Sequence, residues 1–451
     1  MGSEWPIMTL GELCPTITDG AHQSPKSVDV GMPMASVKDL TRFGVDVSGA
    51  RKISGEDFAF LVRQGCKPQK DDVLIAKDGN SALDTVCTVN GEADYVLLSS
   101  VAILRPDTNQ LDSNFLKYYF CSEQTLDYLK SNFISGAAIP RVILKDFKKA
   151  EISLPPLHKQ KAIAHILRSL DDKIELNRRM NATLEGVAQA LFKSWFVDFD
   201  PVIDNALAAG NPIPEELAER AEVRRKALAN GTANREAAKQ FPAAFQRTEE
   251  MGWIPEGWEV GQMSDHALIE MGQSPKGNTY NSNGEGTPLV NGPVEFGPYF
   301  TNRSKWTTSP TKLSHKGDLI VCVRGSTTGR FVKSDDRYCL GRGVCSVRGK
   351  RSQCFVDQIF KSSITEMLGL TTGSTFPNWS RQTLSGFAAI VPPNSIVDKF
   401  DEYISQKIER IESGFLESAS LSKLRDTLLP KLISGELRIP EAEKLTEEAL
   451  V

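Results

Sequence analysis

Donor-rich side chains gather on three short loops that each occur twice in this chain of 451 residues. The first loop carries His22, Gln23, Ser24 and Lys26 in one half, and Gln273, Ser274, Lys276 and Asn278 in the other; the tetrapeptide QSPK stands in both. The second carries Lys77, Asp78 and Asn80, matched by Arg324, Ser326, Thr327 and Arg330. The third carries Ser135, Gly136 and Arg141, matched by Gly373, Ser374, Thr375, Asn378 and Arg381. These side-chain types read base edges in a DNA groove, and the glycines let backbone approach phosphate. A single polar loop residue is more often merely solvated; the recurrence makes the set a candidate DNA-reading surface. Tyr280 and Trp379 have the rings to stack on a base, although a half-buried role suits such aromatics better.

Catalytic constellations are missing by comparison. An adenine methyltransferase needs an Asn or Asp, two prolines and an aromatic in order; VPPN (391–394) and DFDPV (198–202) come nearest and neither supplies it. RGSTTGR (324–330) lacks the Lys-Ser/Thr of a phosphate-binding P-loop. A nuclease of the Asp/Glu-x-Lys type would want a carboxylate two residues before Lys77, where Ile75 stands. The eight cysteines, at 14, 66, 87, 121, 322, 339, 345 and 354, form no Cys-x-x-Cys pair, and the five histidines do not cluster near them. Buried free thiols in a reducing compartment are therefore expected, without a metal. No stretch of about 18 apolar residues is present to span a membrane, and the opening MGSEWPIMTLGELC has neither the basic head nor the apolar core of a signal peptide. A cytoplasmic protein is expected.

The elements that must position these loops come from a long-range duplication. Residues 135–156 (SGAAIPRVILKDFKKAEISLPP) align without a gap on 372–393 (TGSTFPNWSRQTLSGFAAIVPP), pairing Pro140 with Pro377 and Pro155-Pro156 with Pro392-Pro393. Upstream, Trp5 matches Trp258, and DDVLIAKDGN (71–80) resembles GDLIVCVRGS (317–326), in each case a short β-branched strand running into a glycine turn. Each copy then enters a long helix. The apolar seam Ile163, Leu167, Leu170, Ile174, Asn177, Asn181, Leu184, Ala188, Leu191 and Trp195 steps by four and three in alternation. It predicts a helix over about 158–197, roughly 60 Å long. The second seam, Ile404, Ile408, Ile411, Phe415, Leu421, Leu424, Leu428 and Leu432, ends near Gly435, with Pro430 expected to kink the last turn. In the repeat alignment Asn177 and Asn181 match Gly414 and Ser418 at mid-seam, small and polar residues that fit two helices crossing in a fixed register. Lys193, Trp195 and Phe196 at one helix end, and Leu429 and Leu432 at the other, are either core or a docking surface for partner subunits.

Charge separates the copies. The net charge is −4, but residues 1–157 carry 16 Lys+Arg against 20 Asp+Glu, while 253–394 carry 15 against 11. If the chain reads DNA, the second domain supplies more of the phosphate grip and partner subunits supply the rest. Between the copies, 201–252 is rich in Ala, Glu and Arg, and ELAERAEVRRKALAN (216–230) predicts a short helix with a solvated face.

Taken together, the Pro-Pro doublets, the helix ending FKSWFVDFDPV (192–202), the opening WIPEGW (253–258), the second helix ending LLPKLISGEL (428–437) and the stretch TDGAHQSPK (18–26) resemble the specificity subunits of type I restriction–modification systems. The resemblance covers essentially the whole chain outside the interiors of the two domains. It implies two target-recognition domains that read the two parts of a gapped double-stranded DNA site. It also implies docking of two adenine-methylating subunits, with restriction and translocase subunits joining that core. S-adenosylmethionine, ATP and Mg would then belong to the partners, and this chain would perform no chemistry.

The sequence thus predicts a mixed α/β protein: recognition domain 1–157, spacer helix 158–200, charged linker 201–252, recognition domain 253–394, second spacer helix 395–437 and tail 438–451. The two helices run antiparallel as a coiled coil. By pseudo-twofold symmetry, the two heads should contact half-sites about one helical turn apart, roughly 34–36 Å. The half-sites should differ, because the two domains do. A two-headed protein scaffold without DNA readout is the alternative, kept open by the acidic first domain; a fragment of a single-chain restriction–methylation enzyme fits the two-copy layout less well.

Overall fold

The computed structural model describes residues 5–135, 140–371 and 377–450. The described chain folds as two compact units, one formed by residues 1–179 with 416–451 and the other by 180–415. Gly136, Gly373, Ser374 and Thr375, expected at the third loop, lie outside the described residues.

Each unit is built on an antiparallel four-stranded sheet with the same connectivity. In the first the order is Thr16–Asp19, Val101–Arg105, Val73–Ala76, Val86–Thr88; in the second it is Ala267–Met271, Val344–Gly349, Leu319–Cys322, Phe331–Lys333. The central strands read as unbroken apolar runs because both faces are covered. Val73 and Ile75 enter one core, with Leu104 and Phe115, while Leu74 enters another with Val101 and Ile103. Leu319 and Val321 likewise part from Ile320 and Cys322. Side chains alternate across a strand, so two-sided burial demands apolar residues at every position.

A second small sheet covers each first one, centred on a parallel pair: Met34 beside Val96, and Leu289 beside Cys339. The chain entering each unit pairs with the strand that leads to its long helix, Ile7–Thr9 with Glu151–Ser153 and Glu259–Gln262 with Ala388–Val391. Both long helices start directly after the proline doublets. They span Leu157–Phe196 and Asn394–Ile433, with Gly435 in left-handed backbone just beyond the second. Proline suits this position because the first turn's N–H groups have no helical acceptor.

Parts of both helices belong to each unit, and within each unit they pair antiparallel along the expected seam. In the first, Arg425 Nη1 lies 2.7 Å from Asp171, Lys173 lies 3.0 Å from Glu417, and Asn177 Nδ2 donates to Glu417 at 3.0 Å and Ser418 at 3.4 Å. In the second, Asn181 packs directly on Gly414, and Trp195 and Phe192 meet Phe400 edge to face.

The stretch after the first long helix is itself helical: Asp200–Ala209 packs beside Ala218–Ala229 through the carboxylate–guanidinium pairs Asp200–Arg220 and Asp204–Arg224. The Ala218–Ala229 helix keeps a largely wet surface, with Ala221 its buried residue. The C-terminal segment expected as a tail forms a helix, Ile439–Leu450, that buries Ala442 and Thr446. All eight cysteines are free, and burial pushes the thiols of Cys14, Cys87 and Cys345 up to about 12. Among the described residues no helix is long and apolar enough to cross a membrane, and no cluster of His, Cys, Asp and Glu is placed to hold a metal ion.

Candidate nucleic-acid interface

One end of each four-stranded sheet brings the expected loops together. In the first unit Asp19, Ala102, Ala76 and Val86 stand near a common edge, joined by the register pairs Asp19–Ala102, Val101–Ala76 and Ile75–Val86. The chain turns there at Ala76–Asp84. Gly79, left-handed at φ +89°, donates its N–H to Pro140 at 2.9 Å, and Val142 N–H returns to Lys77 at 3.0 Å. The second unit repeats this construction. Gly325, at φ +80°, donates to Pro377 at 2.9 Å, and Trp379 N–H returns to Val323 at 3.0 Å. The second loop is thus clamped in both copies to the residues that follow the third loop's glycine, 140–142 and 377–379. Backbone bridges join Asp78 to Arg141 in one and Arg324 to Asn378 in the other.

The first loop reaches the same edge. Ala21 N–H donates to Leu97 and Gln273 N–H donates to Leu340, which makes Ala21 and Gln273 structural equivalents. The two QSPK tetrapeptides therefore sit two residues out of structural register, although both occupy the same loop. His22, Gln23, Ser24 and Lys26 are all exposed. So are Gln273, Lys276 and Asn278, while Ser274 is partly covered, its Oγ accepting from Arg342 N–H at 3.2 Å.

Lys77 does not belong to this surface. Its side chain is 8% exposed and paired with Asp19, which also holds His22 at 3.1 Å. In the second copy the same backbone position is Val323, fully buried. A lysine whose counterpart is a core valine is a structural residue, and the carboxylate facing it offsets the cost of burying it. Asn80 and Ser135 are exposed at the edge, and Arg141 is exposed but engages Asp78 at 3.0 Å.

The second unit's edge is electrostatically different. Arg324 occupies the place of Asp78, and Arg330 the place of Thr85, by the matching backbone bonds to Cys322 and Ala76. Both arginines are exposed, with Ser326 beside them and Thr327 half-buried. Neither makes an ion pair among the described residues. Arg381 is exposed yet partly engaged, donating to the Ile269 carbonyl at 2.7 Å and lying 3.6 Å from Glu270. Asn378 is half-buried. Tyr280 is half-buried too, whereas Trp379 is a core residue, its Nε1 donating to Met367 at 2.9 Å. A stacking role for Trp379 is therefore excluded.

Sequence reasoning missed one loop at this edge, Leu98–Ser100 in the first unit and Gly341–Gly343 in the second. Lys77 N–H donates to Ser100 at 2.8 Å, and Val323 N–H to Gly343 at 2.9 Å. The two loops differ too much in sequence to reveal their equivalence, and only the hydrogen bonds align them. Arg342, exposed, is the residue added by this loop.

The helix ends resolve as interior. Trp195, Phe196, Leu429 and Leu432 are each less than 5% exposed, which favours the core alternative for these four over the docking one. Trp195 and Phe196 sit in an aromatic cluster with Phe241, Trp258, Phe355 and Phe400. Leu429 and Leu432 fill the first unit's core with Leu421 and Leu428. Lys193 alone of this set is exposed, and it pairs with Asp198. Beside it a groove of about 950 Å³ opens between Phe192, Phe196, Met251, Trp253 and Glu366.

The family model for the type I restriction modification DNA specificity domain matches this chain over residues 2–186 and again over 255–414. The type I restriction enzyme HindI specificity subunit of Haemophilus influenzae is 28% identical over 376 residues, spanning 76% of this chain and 82% of that one. The type I restriction enzyme MjaIX specificity subunit of Methanocaldococcus jannaschii is 25% identical over 345 residues, or 73% and 70% of the two chains. In fold, the S subunit of a type I restriction–modification system from M. genitalium superposes with a TM-score of 0.57 at 15% identity, covering 95% of this chain and 96% of its own.

Proposed function

Because this chain belongs to the type I restriction modification DNA specificity family, we propose that it reads a gapped, two-part double-stranded DNA target, one part with each unit. The reading surface is the strand-end edge of each four-stranded sheet. The observation that carries this reading is the repeated convergence of donor-rich loops at that edge, clamped by the same backbone bonds in both units. Backbone bonds that hold loop residues at a sheet edge place their side chains reproducibly, which base readout needs and general phosphate attraction does not.

Division of labour follows from charge. The first unit's edge pairs Arg141 with Asp78 and exposes Lys26, fewer available cations than the second unit's edge presents, so it contributes base contacts more than electrostatic grip. The second unit's edge presents Lys276, Arg324, Arg330 and Arg342 and takes the larger share of phosphate neutralisation. The chain itself performs no chemistry. It docks two adenine-methylating subunits, and restriction and translocase subunits join through them in the cytoplasm; S-adenosylmethionine, ATP and Mg are bound by those partners.

The test is selection from a random-sequence duplex pool by the chain assembled with its methyltransferase subunits. Enrichment of one gapped motif with two different halves is the expected result. Salt-dependent binding without enrichment of any sequence would overturn the reading and leave the two-headed scaffold.

A further inference from the structure

The turn Gly341–Arg342–Gly343 is more tightly built than an exposed loop requires. A side chain at Gly341 would overlap the Asn291 side-chain oxygen, and one at Gly343 would overlap the Asn291 carbonyl. Asn291 is itself fixed, its N–H donating to Glu295 Oε2 at 3.2 Å, and Glu295 is 1% exposed. Each residue of the turn is held by backbone bonds. Gly341 N–H donates to Val290 at 2.8 Å, Arg342 N–H to Ser274 Oγ at 3.2 Å, and the Gly343 carbonyl accepts from Val323 at 2.9 Å. The one side chain the turn can carry is thus an arginine, exposed and without a carboxylate partner among the described residues. Three loops of the edge meet here: Ser274 belongs to the first, Val323 leads into the second, and the turn supplies the fourth strand-end connection.

Resting on the reading of this edge as the DNA-facing surface, we infer that Arg342 is a base-reading residue that recognises a guanine in the second unit's half-site. Phosphate attraction needs only a cation nearby, and Arg324, Arg330 and Lys276 already provide it from the flanking loops. Two glycines packed against Asn291 do something else: they fix the Cα from which the guanidinium projects. A planar donor fork carried on a fixed Cα can reach the O6 and N7 acceptors that guanine shows in the major groove. Ser99, on the corresponding loop of the first unit, has a single hydroxyl, so that unit does not repeat this contact.

The experiment is random-pool selection and binding with the methyltransferase complex carrying wild-type chain, Arg342→Ala, Arg342→Lys or Arg324→Ala, at two salt concentrations, with thermal melting of each variant. Arg342→Ala should melt like wild type and lose guanine preference at one position of one half-site by roughly ten- to a hundredfold, with the salt slope little changed. Arg342→Lys should keep part of that preference. A uniform loss across all sequences, with the slope lower by about one, would make Arg342 a phosphate contact and overturn the inference. An unchanged motif would overturn it too. Failure of the wild-type complex to enrich any sequence would sink the underlying reading, a result distinct from both.

Discussion

At the residue scale, the difference between a lysine that binds and a lysine that holds the fold rests on its partner. Lys77 has the sequence setting of a loop cation, but it is buried against Asp19 and its counterpart is Val323. Nothing local in the sequence marks that pairing, because Asp19 lies 58 positions away. The exposure of Arg324 and Arg330, by contrast, was legible: they flank a glycine turn after an apolar strand, and both are exposed. Their predicted role is electrostatic. Replacing both with Ala should reduce the slope of log affinity against log salt by about two, since each phosphate contact contributes roughly 0.9. Fluorescence anisotropy across a salt series measures this directly, and an unchanged slope would remove them from the interface.

At the element scale, the long helices were legible to within a residue at their starts and about four at their ends, because few arrangements besides paired helices need apolar residues at alternating steps of four and three. Their mid-seam meeting point was legible as well, but the partners are exchanged relative to the repeat alignment: Asn177 bonds to Ser418 and Asn181 packs on Gly414, as antiparallel helices require. What the pattern could not reveal is how the first helix grips its own unit. Asp171, 2% exposed, accepts from Arg425 at 2.7 Å, Tyr118 at 2.9 Å, Lys117 at 3.1 Å and Arg42 at 3.2 Å. Burial alone would raise its carboxyl, but Lys117, Arg42 and Arg425 hold it down at about 2. This depressed carboxyl stabilises the fold above the ordinary aspartate range near 4, and its contribution fades as pH falls toward 2. Asp171→Asn should cost about 3–5 kcal/mol at neutral pH by leaving cations buried without their counter-charge. It should also flatten the acid limb of a urea-denaturation series between pH 4 and 2; an acid limb identical to wild type would contradict this account. In the second unit, a Cβ on Gly414 would lie 2.7 Å from Asn181 Oδ1. Gly414→Leu should therefore lose about 1–3 kcal/mol through overpacking, and Asn181→Ala should restore part of it in a double-mutant cycle. Strictly additive losses would show that the two positions do not meet.

At the scale of the whole molecule, duplication accounts for both what the sequence disclosed and what it hid. Elements that bury apolar residues on both faces, such as Val73–Ala76 and Leu319–Cys322, kept a common pattern in the two copies and remain alignable from sequence. Positions freed from that constraint diverged: Asp78 became opposite in charge to Arg324, Ser99 corresponds to Arg342, and QSPK recurs two residues out of structural register. Divergence of that kind is what the proposed readout of two different half-sites requires, and it is also why loop equivalence could not be read from sequence. Helix ends such as Trp195 and Leu432 were ambiguous for another reason, because an apolar cluster serves a core and a docking surface equally well until burial is known.

The most direct test of the central claim, that this chain specifies a two-part DNA target for methylating partners, is a map of modified adenines. The chain would be expressed with its methyltransferase subunit in a host free of other adenine methylation, and the genome sequenced for modified bases. The account predicts methylation confined to one gapped motif whose two halves differ. Methylation scattered without a shared motif, or none at all from a soluble and stoichiometric complex, would contradict it.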